Sequence, residues 1–176
     1  MNRTYESFDL VVRRTLGYVD TALKWTLADI PALPRWRSKN GRVVLVGDAA
    51  HAMLPYLSQG AAQAMEDAAV LAECLDRAGH TDDLGRLTEA YETIRKGRAE
   101  KIQKGARVNG VVWHFADGEE QERRDRAMQG KLKAGEVNPN LWADKNFQPW
   151  LFNHDAIHEA NMRLDEMLRE RKESRL

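Results

Sequence analysis

The sequence holds a single cysteine, Cys74, so no disulfide can form within the chain and a reducing compartment is expected. It also lacks net charge, since Lys plus Arg and Asp plus Glu each number 27. Without a basic surplus there is no electrostatic footprint for a phosphate backbone, which argues against nucleic acid as a partner. No apolar run approaches the ~18 residues that a spanning helix needs, so no membrane segment is expected. The opening residues Met1 to Ser7 have no apolar stretch of the kind a secretory signal carries, and a cytoplasmic protein is the expectation. Twelve glycines are present, yet no two are separated by one residue, so the Gly-x-Gly-x-x-Gly dinucleotide fingerprint is absent. Repeats and Ser/Gly- or Pro-rich linkers are missing as well, and 176 residues suffice for one domain with its own core.

What the chain does have is mainly helical periodicity. Phe8, Val11, Val12, Leu16 and Val19 predict a helix over 6–19. Pro31 and Pro34 forbid a helix over 23–40, where Trp25, Leu27, Ile30, Leu33 and Trp36 are expected to anchor the segment on an apolar surface. Ser38-Lys39-Asn40-Gly41 reads as a turn. From Gly60, steps of three and four through Ala61, Ala64, Met65, Ala68, Leu71, Ala72 and Leu75 predict a helix ending at Gly79. Asp82 or Asp83 is expected to cap the next helix, which runs through Leu87, Tyr91 and Ile94 past Ile102. Residues 118–133 read as a charged helix, 138–149 as a loop and 155–172 as a polar helix. The interleaved charges of this second half suit solvated helix faces.

One stretch differs. Val43-Val44-Leu45-Val46 are four β-prone residues without alternation, predicting a short strand (about 42–47) covered on both faces. It leads into Gly47-Asp48, a small-residue loop, and the helix at Gly60. Gly47 permits a sharp turn with close approach to a ligand. Asp48, at the carboxyl end of the strand, is placed to accept hydrogen bonds from a ligand hydroxyl. Ser58 is expected to cap the following helix, whose first amides, at Gly60, Ala61 and Ala62, would point outward with the positive end of the dipole. A strand buried on both faces needs neighbours to pair its backbone, and no other segment is a convincing partner. The chain therefore reads as a fragment of a larger α/β domain, mostly α in itself.

Residues 47–72, Gly-Asp-Ala-Ala-His-Ala-Met-Leu-Pro-Tyr-Leu-Ser-Gln-Gly-Ala-Ala-Gln-Ala-Met-Glu-Asp-Ala-Ala-Val-Leu-Ala, resemble the FAD-dependent aromatic hydroxylases, the salicylate hydroxylase-like monooxygenases. Lys24-Trp25-Thr-Leu-Ala-Asp, Leu33-Pro-Arg-Trp36, Tyr91-Glu-Thr-Ile-Arg-Lys and Asn138-Pro-Asn-Leu-Trp142 are similar to the same family. The resemblance implies an α/β fold of which this chain is the C-terminal portion, without the N-terminal Rossmann-type βαβ unit or the substrate-domain sheet. It divides the chain into 1–40 (helix plus Pro/Trp segment), 41–78 (flavin-contacting strand, loop and helix) and 79–176 (helical region). It implies FAD as cofactor, NAD(P)H as reductant, O2 as co-substrate and an aromatic or related small organic molecule as substrate. Asp48 would then bind the ribityl chain, Gly47 form the close turn, Pro55 and Gly60 line the ring, and the amides of Gly60, Ala61 and Ala62 face its reducible edge. Met53, Leu54, Pro55 and Tyr56 would form one wall of the substrate pocket. The alternative is a truncated, non-catalytic member acting as an interaction module, with a partner chain supplying the missing half of the fold.

No catalytic residue is assigned. His51 beside the motif reads as a packed or hydrogen-bonded loop histidine. His154 and His158 share a helical spacing, but no third ligand is suggested and no metal is expected. Cys74 reads as inert core, and the tail after Asn161, with an i,i+4 pair at Asp165 and Arg169, as a solvated helix.

Overall fold

The helical spacing read after Gly60 is realised in a computed structural model of the protein, which describes residues 2–130 and 139–173. The helices are α1 (Leu10–Leu16), α2 (Asp48–His51), α3 (Gly60–Asp76), α4 (Leu84–Trp113), α5 (Glu119–Met128), α6 (Phe147–Phe152) and α7 (Ala156–Glu173). Short 3-10 turns lie at Pro55–Leu57, Thr81–Asp83 and Leu141–Ala143. Among the described residues no helix is long and apolar enough to cross a membrane.

The central element is α4, whose 30 residues make a rod about 45 Å long. Its buried positions Leu87, Tyr91, Arg95, Ala99, Ile102, Ala106 and Asn109 recur at steps of three and four, so one face stays covered along its length. α3 packs on that face, and α7 packs on α3. One core cluster joins Trp36, Val70, Cys74, Leu87, Tyr91 and Leu164. A second, around Leu57, Ile102, Ala106 and Leu151, collects Met53, Leu54, Leu141, Trp142, Phe147 and Trp150 at its margin.

The predicted strand does not form. Among the described residues there is one isolated antiparallel bridge, Arg37 to Val44, flanked by Ser38 N–H to Val43 O at 2.9 Å and Leu45 N–H to Trp36 O at 2.7 Å. Val43 and Val46 are exposed rather than covered. The cause is the one already visible in the sequence: a ladder needs a neighbour, and only residues 36–38 lie alongside. The turn at Ser38–Gly41 does form, closed by Gly41 N–H to Ser38 O at 2.9 Å.

Other boundaries shift for local reasons. The helix expected over 6–19 is only α1, started by the Asp9 carboxylate accepting from Val11 N–H at 2.8 Å and ended at Gly17. Its apolar residues Phe8, Val11 and Val12 are exposed, as are Trp25 and Leu27, so those residues anchor nothing within this chain. α3 ends at Asp76 rather than Gly79. Asp83 stands at the N-cap position of α4, but its carboxylate makes no cap bond to that helix; it turns back to accept from the Gly79 and His80 amides and closes the preceding 3-10 turn instead. The charged helix is α5, and residues 131–133 of its predicted span lie outside the described residues. The loop expected over 138–149 contains the start of α6. Pro149 sits in that helix's first turn, where a missing N–H removes no bond. Asn138 lies outside the described residues.

Candidate functional site

The loop from Gly47 to Gly60 is tied to the helices at three points. At its start, the Gly47 amide donates to Asp67 Oδ2 of α3 at 2.9 Å. In its middle, Gln103 Nε2 of α4 donates to Ala52 O at 2.9 Å and to Ile30 O at 2.8 Å, which also fixes the preceding segment. Near its end, Asn109 Nδ2 donates to Tyr56 O at 3.2 Å. Gln103 and Asn109 are buried, so these bonds are shielded from competing water. Tyr56 lies so close to α4 that a Cβ at Gly110 would stand 2.7 Å from its ring; only glycine allows this approach.

Gly47 adopts φ 58°, ψ −138°, a conformation open to glycine and strained for other residues. It directs the chain into the single turn α2, which Asp48 begins. The Asp48 carboxylate is exposed and bonded to no other described residue. Pro55 opens the 3-10 turn and is exposed as well. The expected Ser58 cap is not made. Ser58 takes a left-handed conformation (φ 51°) that closes the 3-10 turn, and Gln59 becomes the N-cap residue without a side-chain bond. The first intrahelical acceptor is met by Gln63 N–H to Gln59 O at 2.9 Å, which leaves Gly60, Ala61 and Ala62 with uncapped amides at the positive end of α3. Of these, Ala61 is exposed and Gly60 and Ala62 are half-buried. A Cβ at Gly60 would meet only Met53 Cγ, at 4.0 Å, so a ligand can reach the backbone there. The surface thus offers one carboxylate as acceptor, several backbone amides as donors, and small side chains. It fits the hydroxyls and carbonyl edge of a flavin, and it includes no cradle for a pyrophosphate.

Behind this surface lies a buried ionic network. Asp67 accepts from His51 Nε2 at 2.6 Å and from Arg95 Nε at 2.9 Å, and all three side chains are almost wholly enclosed. Arg95 also reaches Glu66 Oε2 at 2.5 Å and Gln63 Oε1 at 2.8 Å. Arg98 holds Glu66 through both Nε (2.8 Å) and Nη2 (2.9 Å), and donates to the Trp150 and Leu151 carbonyls. Burial raises the Asp67 carboxyl, but the His51 and Gly47 bonds and the Arg95 charge outweigh it and hold it below its ordinary range. Glu66 is lowered in the same way, its burial outweighed by Arg98 and Arg95. Because an ionised carboxylate only accepts, His51 Nε2 carries the proton, which makes this residue the hydrogen-bonded loop histidine expected from sequence.

A model of the FAD binding domain matches residues 17–106, half of the chain. The chain belongs to the FAD binding domain family. It is 38% identical over 161 residues to the FAD-dependent monooxygenase OpS4 of Beauveria bassiana (strain ARSEF 2860), covering 92% of this chain and 38% of that protein. It is 33% identical over 156 residues to a salicylate hydroxylase of Pseudomonas putida, covering 86% and 32%. Among solved structures, a salicylate hydroxylase substrate complex matches with a TM-score of 0.60 at 37% identity, over 79% of this chain and 30% of the other. CtdE in complex with FAD matches with a TM-score of 0.52 at 26% identity, over 77% and 26%. The chain therefore spans about a third of the length of these relatives. The resemblance read from residues 47–72 is the family relationship, and FAD is the family's cofactor.

The remaining sequence candidates lie away from the loop's open face. His154 meets Glu66 at 3.5 Å and Glu159 at 3.3 Å, while His158 is exposed; among the described residues no three metal-ligating side chains converge. Asp165 is paired with Arg77, the residue that caps the C-terminus of α3, at 3.5 Å rather than with Arg169. Cys74 is buried, and burial pushes its thiol up to about 11. Iodoacetamide at pH 8 is therefore expected to leave Cys74 unlabelled in the folded chain and to label it in urea, as read by intact mass; labelling at equal rates in both would refute the assignment. In the sequence Glu66, Asp67 and Arg95 stand out only as members of the runs that resemble the family, and Arg98, Gln103 and Asn109 not at all. A signal existed: two adjacent acids on an apolar helix and two arginines three apart on the next are too many charges for buried faces unless they pair.

Proposed function

We propose that this chain forms the flavin-contacting portion of an FAD-dependent monooxygenase that uses NAD(P)H and O2 to hydroxylate an aromatic or related small organic substrate. The observation that carries the reading is a free Asp48 carboxylate at one end and the uncapped amides of α3 at the other end of a single loop, which buried side chains of α3 and α4 hydrogen-bond from behind. In this reading Gly47 forms the close turn, Asp48 accepts hydrogen bonds from the ribityl hydroxyls, and Pro55 and Gly60 flank the ring. The amides of Gly60, Ala61 and Ala62, with the helix dipole, stabilise negative charge at the ring's reducible edge. FAD, when bound, supplies the redox chemistry; these residues orient it and set the electrostatics around it. Met53, Leu54, Pro55 and Tyr56 offer one apolar wall to the substrate. The likeness to salicylate hydroxylase and to an FAD complex supports the cofactor and the aromatic class of substrate.

Asp48 tests the reading directly, because it is exposed and supports nothing else in the chain. Asp48→Ala is expected to weaken FAD binding about 10- to 100-fold, the worth of a hydrogen bond to a charged group, with the melting temperature unchanged. Flavin fluorescence titration of both proteins measures it, and equal affinities would remove Asp48 from the site. The exposure of Val43, Val46 and Trp25 favours a second reading, a non-catalytic module covered by a partner chain. A wild-type chain that binds no FAD but forms a defined hetero-complex would select that one.

A further inference from the structure

Asp67 has no exposed surface, so it touches neither solvent nor any ligand on the open face of the loop. Yet both its oxygens are engaged, by three groups from two separate elements. Oδ2 takes the Gly47 amide at 2.9 Å and His51 Nε2 at 2.6 Å, the two ends of the Gly47–His51 turn. Oδ1 takes Arg95 Nε at 2.9 Å from α4. Gly47 sits at positive φ with Asp48 next to it, so the direction of the Asp48 side chain follows from where the Gly47 amide is held. Behind His51 the Trp36 ring, at 5.3 Å between centroids, prevents the imidazole from retreating. The pair is therefore clamped from both sides, and the clamp ends on a charge that Arg95 fixes in the core.

We propose that Asp67 is a positioning residue for the cofactor site: it holds the Gly47–His51 turn by both ends and thereby aims Asp48 outward. The inference rests on the reading of this turn as flavin-facing, but the clamp itself can be measured without flavin. A carboxylate is required because both protein groups sharing Oδ2 are donors, and an asparagine there must turn an N–H toward at least one of the donors around it. The mobility of the Gly47 amide is thus separable from the stability of the helices, whose contacts do not pass through it.

The experiment is amide hydrogen exchange on the whole chain, wild type against Asp67→Asn, reading Gly47 together with Tyr91 and Ile102 as core references on α4. The expected result is a loss of Gly47 protection at least about tenfold beyond the loss at the two references. Equal losses at all three sites would make Asp67 a general stabiliser and overturn the proposal, as would an unchanged Gly47. If the variant does not fold, acidification of the wild type asks the same question, since His51, Arg95, Tyr91 and the adjacent Glu66 are the titratable groups around Asp67. Gly47 protection is then expected to fall before that of Tyr91 and Ile102, and a simultaneous fall overturns the proposal. With FAD added, Asp67→Asn is expected to bind about tenfold more weakly than wild type, and equal affinity also overturns it. A wild-type chain that binds no FAD defeats the flavin reading alone, and the exchange result still decides whether the clamp exists.

Discussion

Replacing Arg95 with alanine is expected to destabilise the chain by about 3–5 kcal/mol, measured as a shift of the urea unfolding midpoint at constant slope. The size follows from what the deletion leaves behind. Arg95 is enclosed and donates to Asp67, Glu66 and Gln63 at once. Removing it leaves the buried Asp67 carboxylate without its guanidinium, held only by the His51 and Gly47 bonds, and breaking a buried pair from one side costs far more than the pair itself contributes. The exposed pair Arg163–Glu159 sets the contrast: its loss should cost about 0–1 kcal/mol, because water already screens both partners. The pH dependence has a definite sign. Asp67 and Glu66 are depressed in the folded state, so their contribution is complete above the ordinary carboxylate range and is lost as pH falls through their lowered values. In Arg95→Ala that acid-side dependence should be reduced but not abolished, since one cation acting on both groups is gone while the His51 and Gly47 bonds to Asp67 and the Arg98 bonds to Glu66 remain. A variant that unfolds at the wild-type urea concentration would show that the network is not what joins α3 to α4.

Much of the helical framework could be read from apolar spacing, because α3 and α4 each bury one continuous face and that face repeats in sequence. The family could be read too, from the ordered run over residues 47–72. What escaped was whatever depends on contacts distant in sequence. The segment Val43–Val46 has the right residues but only the short run 36–38 beside it, too little to extend one bridge into a ladder, so a correct local propensity gave a wrong element. Ser58 has cap chemistry, yet the 3-10 turn at Pro55–Leu57 claims its backbone first. Asp67, Arg95, Gln103 and Asn109 look like ordinary surface polar residues when read one at a time. Only the packing of α3 on α4 turns them inward and makes them the support of the loop.

The two tryptophans of the Pro-rich segment carry the same point into a second experiment. Both look like anchors in the sequence, but the structure buries Trp36 completely and leaves Trp25 77% exposed. Trp36→Ala is expected to cost about 3–5 kcal/mol in the urea midpoint, and Trp25→Ala less than about 0.5 kcal/mol. Trp36 packs between His51 and Tyr91, at 5.3 and 6.2 Å between ring centroids, so its loss opens a cavity between the loop and α4. Among the described residues its Nε1 has no hydrogen-bond partner, so the expected loss is one of packing. Because His51 then loses the wall behind it, Trp36→Ala should also loosen the Gly47–His51 turn, whereas Trp25→Ala should leave that turn as it is. Equal effects from the two substitutions would mean that Trp25 is covered in solution, which a partner chain or a longer protein would explain and this chain alone would not.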